Sequence, residues 1–312
     1  MRATGRWTRW IIVSLVIAFL VAEVVLRLAF GLGNPPRMRS DSKIEYLYTP
    51  SQDLVRFGNR IRYNGFGMRG EDFPRRRSDA AELRVIAIGD SVLNGGAQTD
   101  QEDIATEILR RELPRELNRP VSVGNISAGS WGPPNALAFV EAFGLFDADV
   151  VILVWSSHDY ADVPTSQPIE RRPLLATEEA LTRYLPRFLP AGPTTATPTP
   201  SPQDIDTSLS ALAKLVALSR VAGAHVIVAQ HMEKGELSSA PDRGHDHIRR
   251  TVEEAGATVI QLGPDFATSL KAGRDPYRDS IHPNEVGQRL LADALKLPLI
   301  ARFKRDDAVR QE

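Results

Sequence analysis

The chain has 312 residues, 42% of them hydrophobic, which is enough to bury the core of one large domain with appendages. Its formal net charge is −1 at pH 7, so no overall positive field indicates a nucleic-acid partner. It contains no cysteine, which excludes disulfides, thiolate metal sites and a cysteine nucleophile.

An apolar segment lies near the N-terminus, at residues 10–30, after a basic stretch at residues 1–9. As a helix it would be about 31 Å long, which matches the hydrocarbon core of a bilayer. Glu23 and Arg27 stand one helical turn apart within it and can pair. The pattern predicts a transmembrane anchor. A cleaved signal peptide is the alternative, but there is no Ala-x-Ala motif, and Arg27 fits a cleavage region poorly.

The charges before this segment predict its orientation. Arg2, Arg6 and Arg9 precede it, with no acidic residue among them. Arginines of this kind remain in the cytoplasm. The sequence therefore predicts a single-pass protein of the inner (plasma) membrane, with its N-terminus inside and the remaining chain periplasmic.

Residues 31–82 are interpreted as a linker and an N-terminal extension. Alternation over residues 55–63, around Gly58 and Asn59, predicts a β-hairpin. The arginines of this region could face an acidic glycan, but a solvated basic surface beside a membrane is the favoured interpretation.

The next segment places a serine after a buried strand. Val85 to Ile88 form a continuous apolar run, which is typical of a parallel strand buried on both faces. Gly89 ends the run, and Asp90 and Ser91 follow it. In α/β sheets, the carboxyl ends of the strands are where the chemistry is located.

A second polar motif lies near the end of the chain, at Asp279-Ser-Ile-His282-Pro-Asn. Together with Ser91 it supplies a nucleophile, a base and a residue to orient the base, which are the components of a catalytic triad. The spacing predicts that His282 and Pro283 open the last helix, over residues 284–295.

These two motifs resemble the first and last blocks of the SGNH (GDSL) hydrolases. The resemblance spans roughly residues 83–298, and residues 63–70 resemble a segment of membrane-anchored bacterial members. It implies a serine esterase in which His282 takes a proton from Ser91 and Asp279 holds the imidazole. The corresponding hydrolase domain is placed at residues 83–300, before a charged tail at residues 301–312.

The resemblance also implies an oxyanion hole. Gly129 matches the second family block, in which a glycine N–H helps to bind the oxyanion, as the N–H of Ser91 would. His158 stands where the family usually has an asparagine, and imidazole can donate an N–H in the same way. Trp131 could wall an acyl pocket or fill the core.

Strands alternate with helices in this domain, which predicts a three-layer α/β/α sandwich around a five-stranded parallel sheet in flavodoxin-like order. An insertion at residues 163–203 interrupts it, with a short helix over 177–185 that Pro186 stops and a Pro/Thr-rich loop over 190–202. The five strands are predicted at residues 85–88, 121–126, 149–155, 225–230 and 257–262.

No metal or cofactor is expected. His245 and His247 invite a metal assignment, but no third ligand stands at helical spacing, so both are interpreted as surface residues.

Three functions remain open from the sequence. The first is an exported esterase that removes acyl groups, with acetyl expected, from envelope or exopolysaccharide sugars or from small esters. The second is an O-acyltransferase that uses the same triad on a surface polysaccharide. The third is a non-catalytic glycan-binding assembly protein, which the intact Ser91, Asp279 and His282 disfavour.

Overall fold

A computed structural model describes residues 4–164, 171–188, 199–239 and 241–311. Its strands are β1 (Met38–Asp41), β2 (Glu45–Tyr48), β3 (Gln52–Arg56), β4 (Asn59–Tyr63), β5 (Leu83–Gly89), β6 (Val121–Ser127), β7 (Val150–Ser156), β8 (His225–His231) and β9 (Thr258–Gln261). Its α-helices are α1 (Thr4–Phe30), α2 (Ser91–Asn94), α3 (Ala105–Leu117), α4 (Pro133–Phe143), α5 (Ala176–Glu179), α6 (Pro202–Val221), α7 (Arg243–Glu254), α8 (Gly263–Lys271) and α9 (Glu285–Gln311).

The central sheet is parallel and has the order β6-β5-β7-β8-β9. Successive side chains of β5 alternate between two cores: Ile86 and Ile88 pack towards α4, α6 and α7, and Val85 and Ala87 towards α3, α8 and α9. Because both faces are covered, the strands are apolar throughout. The predicted α/β/α fold and its flavodoxin-like order are confirmed.

Most helix predictions hold, with shifted ends. The last helix continues through Pro298 to Gln311, so the predicted tail is helical up to residue 311. Helix α4 ends at Phe143, and Asn135 in its first turn accepts from the backbone N–H of Gly132. Helix α8 was not predicted.

The N-terminal extension forms two hairpins, β1–β2 and β3–β4. The second was predicted; its turn residues Phe57 and Gly58 both have positive φ (53° and 83°), as a two-residue hairpin turn requires. The expectation of a solvated basic surface is wrong for Arg69. Its side chain is buried and donates to Gln101 and to the carbonyl groups of Gly96 and Thr99.

The described part of the insertion packs on the extension through a buried ion pair. Arg56 Nη2 lies 2.5 Å from Glu179 Oε1, and the two side chains are 2% and 3% exposed. The predicted short helix is present, but it starts at Ala176 and continues in irregular helical turns to Phe188, so Pro186 does not stop it. Of the Pro/Thr-rich tract, residues 190–198 lie outside the described residues, and Pro202 begins α6.

Helix α1 contains the predicted apolar segment. Within residues 6–30, an 18-residue window has a mean hydropathy of 2.6 with 6% of its residues buried, and the helix is long and apolar enough to cross a membrane. The predicted pair is also present, with Arg27 Nε 2.6 Å from Glu23 Oε1.

Glu179→Ala should destabilise the protein by about 3–5 kcal/mol, because it leaves the Arg56 charge buried without its partner. The measurement is urea unfolding of the full chain in detergent. Arg56→Leu combined with Glu179→Leu should recover most of the loss.

Glu141→Ala is the matched control, since it removes one partner of an exposed pair with Lys214. Such pairs contribute about 0–1 kcal/mol. Equal losses for Glu179→Ala and Glu141→Ala would contradict a stabilising role of the buried pair.

Candidate active site

The parallel register brings the predicted site residues to one edge of the sheet. Gly89 pairs with Ser127, and Ser156 pairs with His231. Each of these four residues ends a strand, and the four strands are adjacent in the sheet. The residues two positions further along the chain are Ser91, Gly129, His158 and Glu233.

Ser91 opens the short helix α2, directly after β5. Asp90 caps this helix by accepting from the backbone N–H of Val92 at 2.9 Å. Gly89 is required at the strand end, because a Cβ there would lie 2.8 Å from the carbonyl oxygen of Val154. The tight exit from the strand holds Ser91 half-buried at the edge of the sheet.

His282 and Asp279 complete a hydrogen-bonded chain with this serine. His282 Nε2 lies 3.0 Å from Ser91 Oγ, and His282 Nδ1 lies 2.8 Å from Asp279 Oδ2. Burial alone would raise the pKa of Asp279, but hydrogen bonds from the backbone N–H groups of His282 and Ile281 lower it. Asp279 is therefore ionised at neutral pH and fixes the imidazole with Nε2 facing the serine.

The segment that carries His282 is fixed by contacts with other elements. Gln288 donates to the carbonyl oxygen of Val92 at 2.7 Å, which joins α9 to α2. His231, whose pKa burial lowers to about 4, donates from Nε2 to the carbonyl oxygen of Ile281 at 2.8 Å. A neutral histidine is thus part of the scaffold that positions the base.

Gly129 lies in an exposed turn after β6. A Cβ on this residue would meet the Tyr46 hydroxyl at 3.5 Å, an ordinary contact. Neighbouring β6 is held to α2 by Asn94, which donates to the carbonyl oxygen of Ser127 at 2.8 Å. Gly129 thus stands at the edge of the sheet that carries Ser91.

His158 lies in a 3-10 helix, Ser157–Ala161, that follows β7. Its Nδ1 donates to Glu233 at 3.2 Å, and its Nε2 lies 3.7 Å from both Asp90 Oδ2 and Asp159 Oδ1. Burial alone would lower the pKa of His158, but the charge of Asp159, the hydrogen bond to Glu233 and the charge of Asp90 raise it to about 10. The ring is therefore an imidazolium beside the residue that precedes Ser91.

This cation compensates two buried carboxyl groups. Asp90 Oδ2 and Asp159 Oδ1 are buried without a hydrogen-bond partner. Burial raises the pKa of both residues, and the charge of His158 opposes that rise. Asp159 also accepts from the backbone N–H of Ser156 at 2.6 Å, so the same carboxylate holds the end of β7.

Among the described residues, Asp90, His158 and Asp159 form the group of side chains that could hold a metal ion. The ligand atoms of Asp90, His158 and Asp159 lie within 4.8 Å of one another. A metal would have to displace the proton from His158, and the raised pKa of that ring makes the exchange unfavourable.

Sequence reasoning missed Glu233 and the role of Arg69. Glu233 could have been found as an acidic residue two positions after the end of β8. It corresponds in register to His158, which lies two positions after the end of β7. No local signal marks Arg69, whose partners Gly96 and Thr99 lie roughly thirty residues away in the loop after the serine.

Two further interpretations are resolved. Trp131 is 2% exposed and packs in the core, where its Nε1 donates to the carbonyl oxygen of Tyr46, so it does not wall an acyl pocket. The interpretation of both histidines of α7 as surface residues is wrong for His245, which is 7% exposed. His247 is exposed and stacks on Tyr160.

Solved structures with a similar fold include a lipolytic G-D-S-L family protein from Veillonella parvula (14% identity, TM-score 0.44, 68% of this chain and 95% of that chain). An acetyl xylan esterase is similar at 17% identity and a TM-score of 0.46, over 68% of this chain and 98% of that chain. A two-domain esterase active on acetylated mannans is similar at 15% identity and a TM-score of 0.48, over 71% of this chain and 50% of that chain. The search of curated proteins returned no match.

The sequence model of the GDSL-like lipase/acylhydrolase family matches residues 87–290, which is more than half of the chain. The match begins in β5 and ends in α9, so it includes the serine, the aspartate and the histidine of the hydrogen-bonded chain. The protein therefore belongs to the GDSL-like lipase/acylhydrolase family.

Proposed function

We propose that the protein is a serine esterase that hydrolyses carboxylic esters. Ser91 is the nucleophile, His282 the base, and Asp279 the residue that orients the imidazole. The observation that carries this proposal is the hydrogen-bonded chain from Ser91 Oγ to His282 Nε2 at 3.0 Å and from His282 Nδ1 to Asp279 Oδ2 at 2.8 Å. A serine hydroxyl is a weak nucleophile until a base within hydrogen-bond reach takes its proton.

The reaction has two steps. In the first, Ser91 Oγ attacks the ester carbonyl carbon and passes its proton to His282 Nε2. The imidazolium then gives this proton to the alcohol oxygen, which leaves, and the acyl group stays on Ser91. In the second, water gives a proton to His282 and attacks the acyl-serine, and Ser91 recovers the proton as the carboxylic acid leaves.

Asp279 stays ionised throughout and stabilises the imidazolium, in agreement with its lowered pKa. The side chains of His282 and Asp279 are 29% and 46% exposed, which gives water access for the second step. Transfer to a sugar hydroxyl in place of water would give an O-acyltransferase with the same triad.

The oxyanion of each step is assigned to three donors: the backbone N–H groups of Ser91 and Gly129, and His158. Glu233 holds Nδ1 of His158, which turns Nε2 towards the strand end that carries Ser91. A protonated ring with a pKa near 10 adds positive charge where negative charge develops in the transition state.

The proposal includes a location and a substrate class. The apolar helix α1 supports an uncleaved anchor, with the hydrolase domain on the periplasmic side of the inner membrane. Acyl esters, with acetyl groups on envelope or exopolysaccharide sugars as the expected case, are the proposed substrates.

Ser91→Ala should lower kcat for p-nitrophenyl acetate by about 10⁶-fold, the order of loss for a triad nucleophile. The assay uses the full chain in detergent, with longer acyl esters for comparison. A fluorophosphonate probe should label wild type and leave Ser91→Ala unlabelled. Probe labelling that persists in Ser91→Ala would contradict the assignment of Ser91 as the nucleophile.

His158→Ala should lower kcat by about 10²–10³-fold with little change in KM, the loss expected for one oxyanion donor. His158→Asn should recover much of that loss, because a carboxamide also presents an N–H. A kcat for His158→Ala within a few-fold of wild type would mean that Ser91 and Gly129 form the hole alone.

Glu233→Gln should lower the pKa of His158 from its value of about 10, because it removes one of the charges that hold the proton. The raised pKa stabilises the folded state fully below the ordinary value of 6.5, and that stability is lost as pH rises through about 10. Wild type should therefore exceed Glu233→Gln in stability near neutral pH, and the difference should shrink towards pH 10.

NMR titration of ¹⁵N-histidine-labelled protein measures the midpoint of His158, and urea unfolding at several pH values measures the stability. Glu253→Gln is the control, since Glu253 is an acidic residue that pairs with Arg249 on α7. A His158 midpoint near the ordinary value of 6.5 in wild type would refute the imidazolium.

A further inference from the structure

The surface around the end of α1 carries an unusual set of exposed apolar side chains. We infer that they form a collar that rests in the bilayer interface and fixes the hydrolase domain against the membrane. This inference rests on the proposed membrane anchoring by α1. The collar consists of Val55, Phe57, Leu174, Leu175, Leu181, Leu185 and Phe188.

Exposed large apolar side chains are concentrated at this place. Among the described residues outside α1 there are nine, and seven of them belong to the collar. Leu174 and Phe188 are 75% and 84% exposed, values that are unfavourable for such side chains in water. Single exposed hydrophobics are ordinary, but a set confined to two adjoining elements marks an interaction surface.

The helical turns of the insertion are apolar on the outside and polar on the inside. Leu181, Leu185 and Phe188 follow a spacing of four and three, so they share one face, and that face is exposed. On the opposite side, Glu179 is buried against Arg56. A helix packed on a protein core in water has the reverse arrangement, whereas a helix at a lipid interface turns its apolar face outwards to the acyl chains.

Hydrogen bonds hold this segment at the level of the last turns of α1. Glu23 accepts from the backbone N–H groups of Ala176 and Thr177 at 2.8 and 3.0 Å, and Arg27 donates to the carbonyl oxygen of Leu174 at 2.8 Å. Glu23 stands seven residues before Phe30, about 10 Å along the helix axis. The segment therefore begins beside the last two turns of the predicted span, on the side where α1 leaves the bilayer.

The β3–β4 hairpin joins the same level from another direction. The backbone N–H of Phe57 donates to the carbonyl oxygen of Phe30 at 3.0 Å, which places the hairpin turn against the last residue of α1. Val55 and Phe57 are 59% and 36% exposed there. Two elements that are far apart in the sequence thus present apolar side chains beside one helix end.

Basic side chains accompany the collar, as expected at an interface with anionic lipids. Arg171, Arg172 and Arg183 are exposed on the same segment. Long basic side chains of this kind lay their stems on the apolar region and keep their charge in the headgroup layer. Lipid is thus the occupant that fits both the apolar and the charged parts of this surface.

A cavity of about 450 Å³ lies between residues 35–63 of the extension, the insertion and the loop after Ser91. The insertion contributes Arg172, Arg183 and Tyr184 to its lining, and the loop contributes Gly96 and Ala97. The cavity therefore adjoins the segment that carries Leu181 and Leu185 of the collar.

The chain has no cysteine, so single-cysteine variants allow depth to be measured site by site. Leu181→Cys and Phe188→Cys are labelled with an environment-sensitive fluorophore, and the full chain is reconstituted in vesicles of phosphatidylcholine and phosphatidylglycerol. Lipids with a nitroxide high on the acyl chain should quench both labels at least about twofold more than a label in water.

Val221→Cys and Leu297→Cys are matched controls, because these are the two exposed large apolar residues that the described part of the chain has outside both α1 and the collar. Aqueous iodide should quench their labels, and the nitroxide lipids should not. Collar labels that respond to iodide as strongly as the Val221→Cys label would overturn the inference.

A label on Leu20→Cys, within α1, distinguishes a collar that does not contact lipid from an α1 that does not insert into the membrane. Quenching of its label by deep nitroxide lipids, with collar labels open to iodide, would refute the collar alone. A Leu20→Cys label open to iodide would refute both the anchor and the collar. Fluorophosphonate labelling of the same variants reports the esterase proposal independently.

Discussion

The common direction of the strands in the parallel sheet is the constraint on which the site depends. Each strand leaves the sheet at the same edge, so residues that follow four neighbouring strands lie at that edge although they are far apart in the sequence. The strand ends are staggered, since Gly89 pairs with Ser127 on one side and with Val154, two residues before the end of β7, on the other. Ser91, Gly129 and His158 follow these three strand ends. His282 lies on a separate segment before α9, and the hydrogen bond from Gln288 to Val92 joins α9 to α2.

Much of the fold and the hydrogen-bonded arrangement of Ser91, His282 and Asp279 could be predicted from the sequence because their signals are local. Strands buried on both faces must be apolar at every position, so runs such as Val85 to Ile88 stand out from the flanking helices. Asp279 and His282 are three residues apart, and that spacing alone lets the carboxylate reach both the ring and the backbone N–H of the histidine. The serine was found in the same way, from the strand end that precedes it.

The parts that were missed or misread depend on contacts between distant residues. Arg69 looks like a surface residue in a basic segment, and only the folded chain shows the two carbonyl groups that it satisfies. Arg56 and Glu179 are 123 residues apart, so neither position signals a buried ion pair. For His158 the residue itself was recognised, but its protonation depends on Asp90, Asp159 and Glu233, which three different strand ends contribute.

These distant contacts form a continuous connection between the helix that carries the anchor and the loop that follows the nucleophile. Glu23 of α1 holds the start of α5, and Glu179 at the end of α5 holds Arg56 of the hairpin. From the hairpin, Asn59 donates to the carbonyl oxygen of Ala97 at 3.1 Å, and Arg69 secures the same loop. Most of these links involve a charged group that is buried or nearly so, and breaking one would leave that charge without its partner. The extension of residues 31–82 therefore links α1 to the loop that follows Ser91 through hydrogen bonds and a buried ion pair.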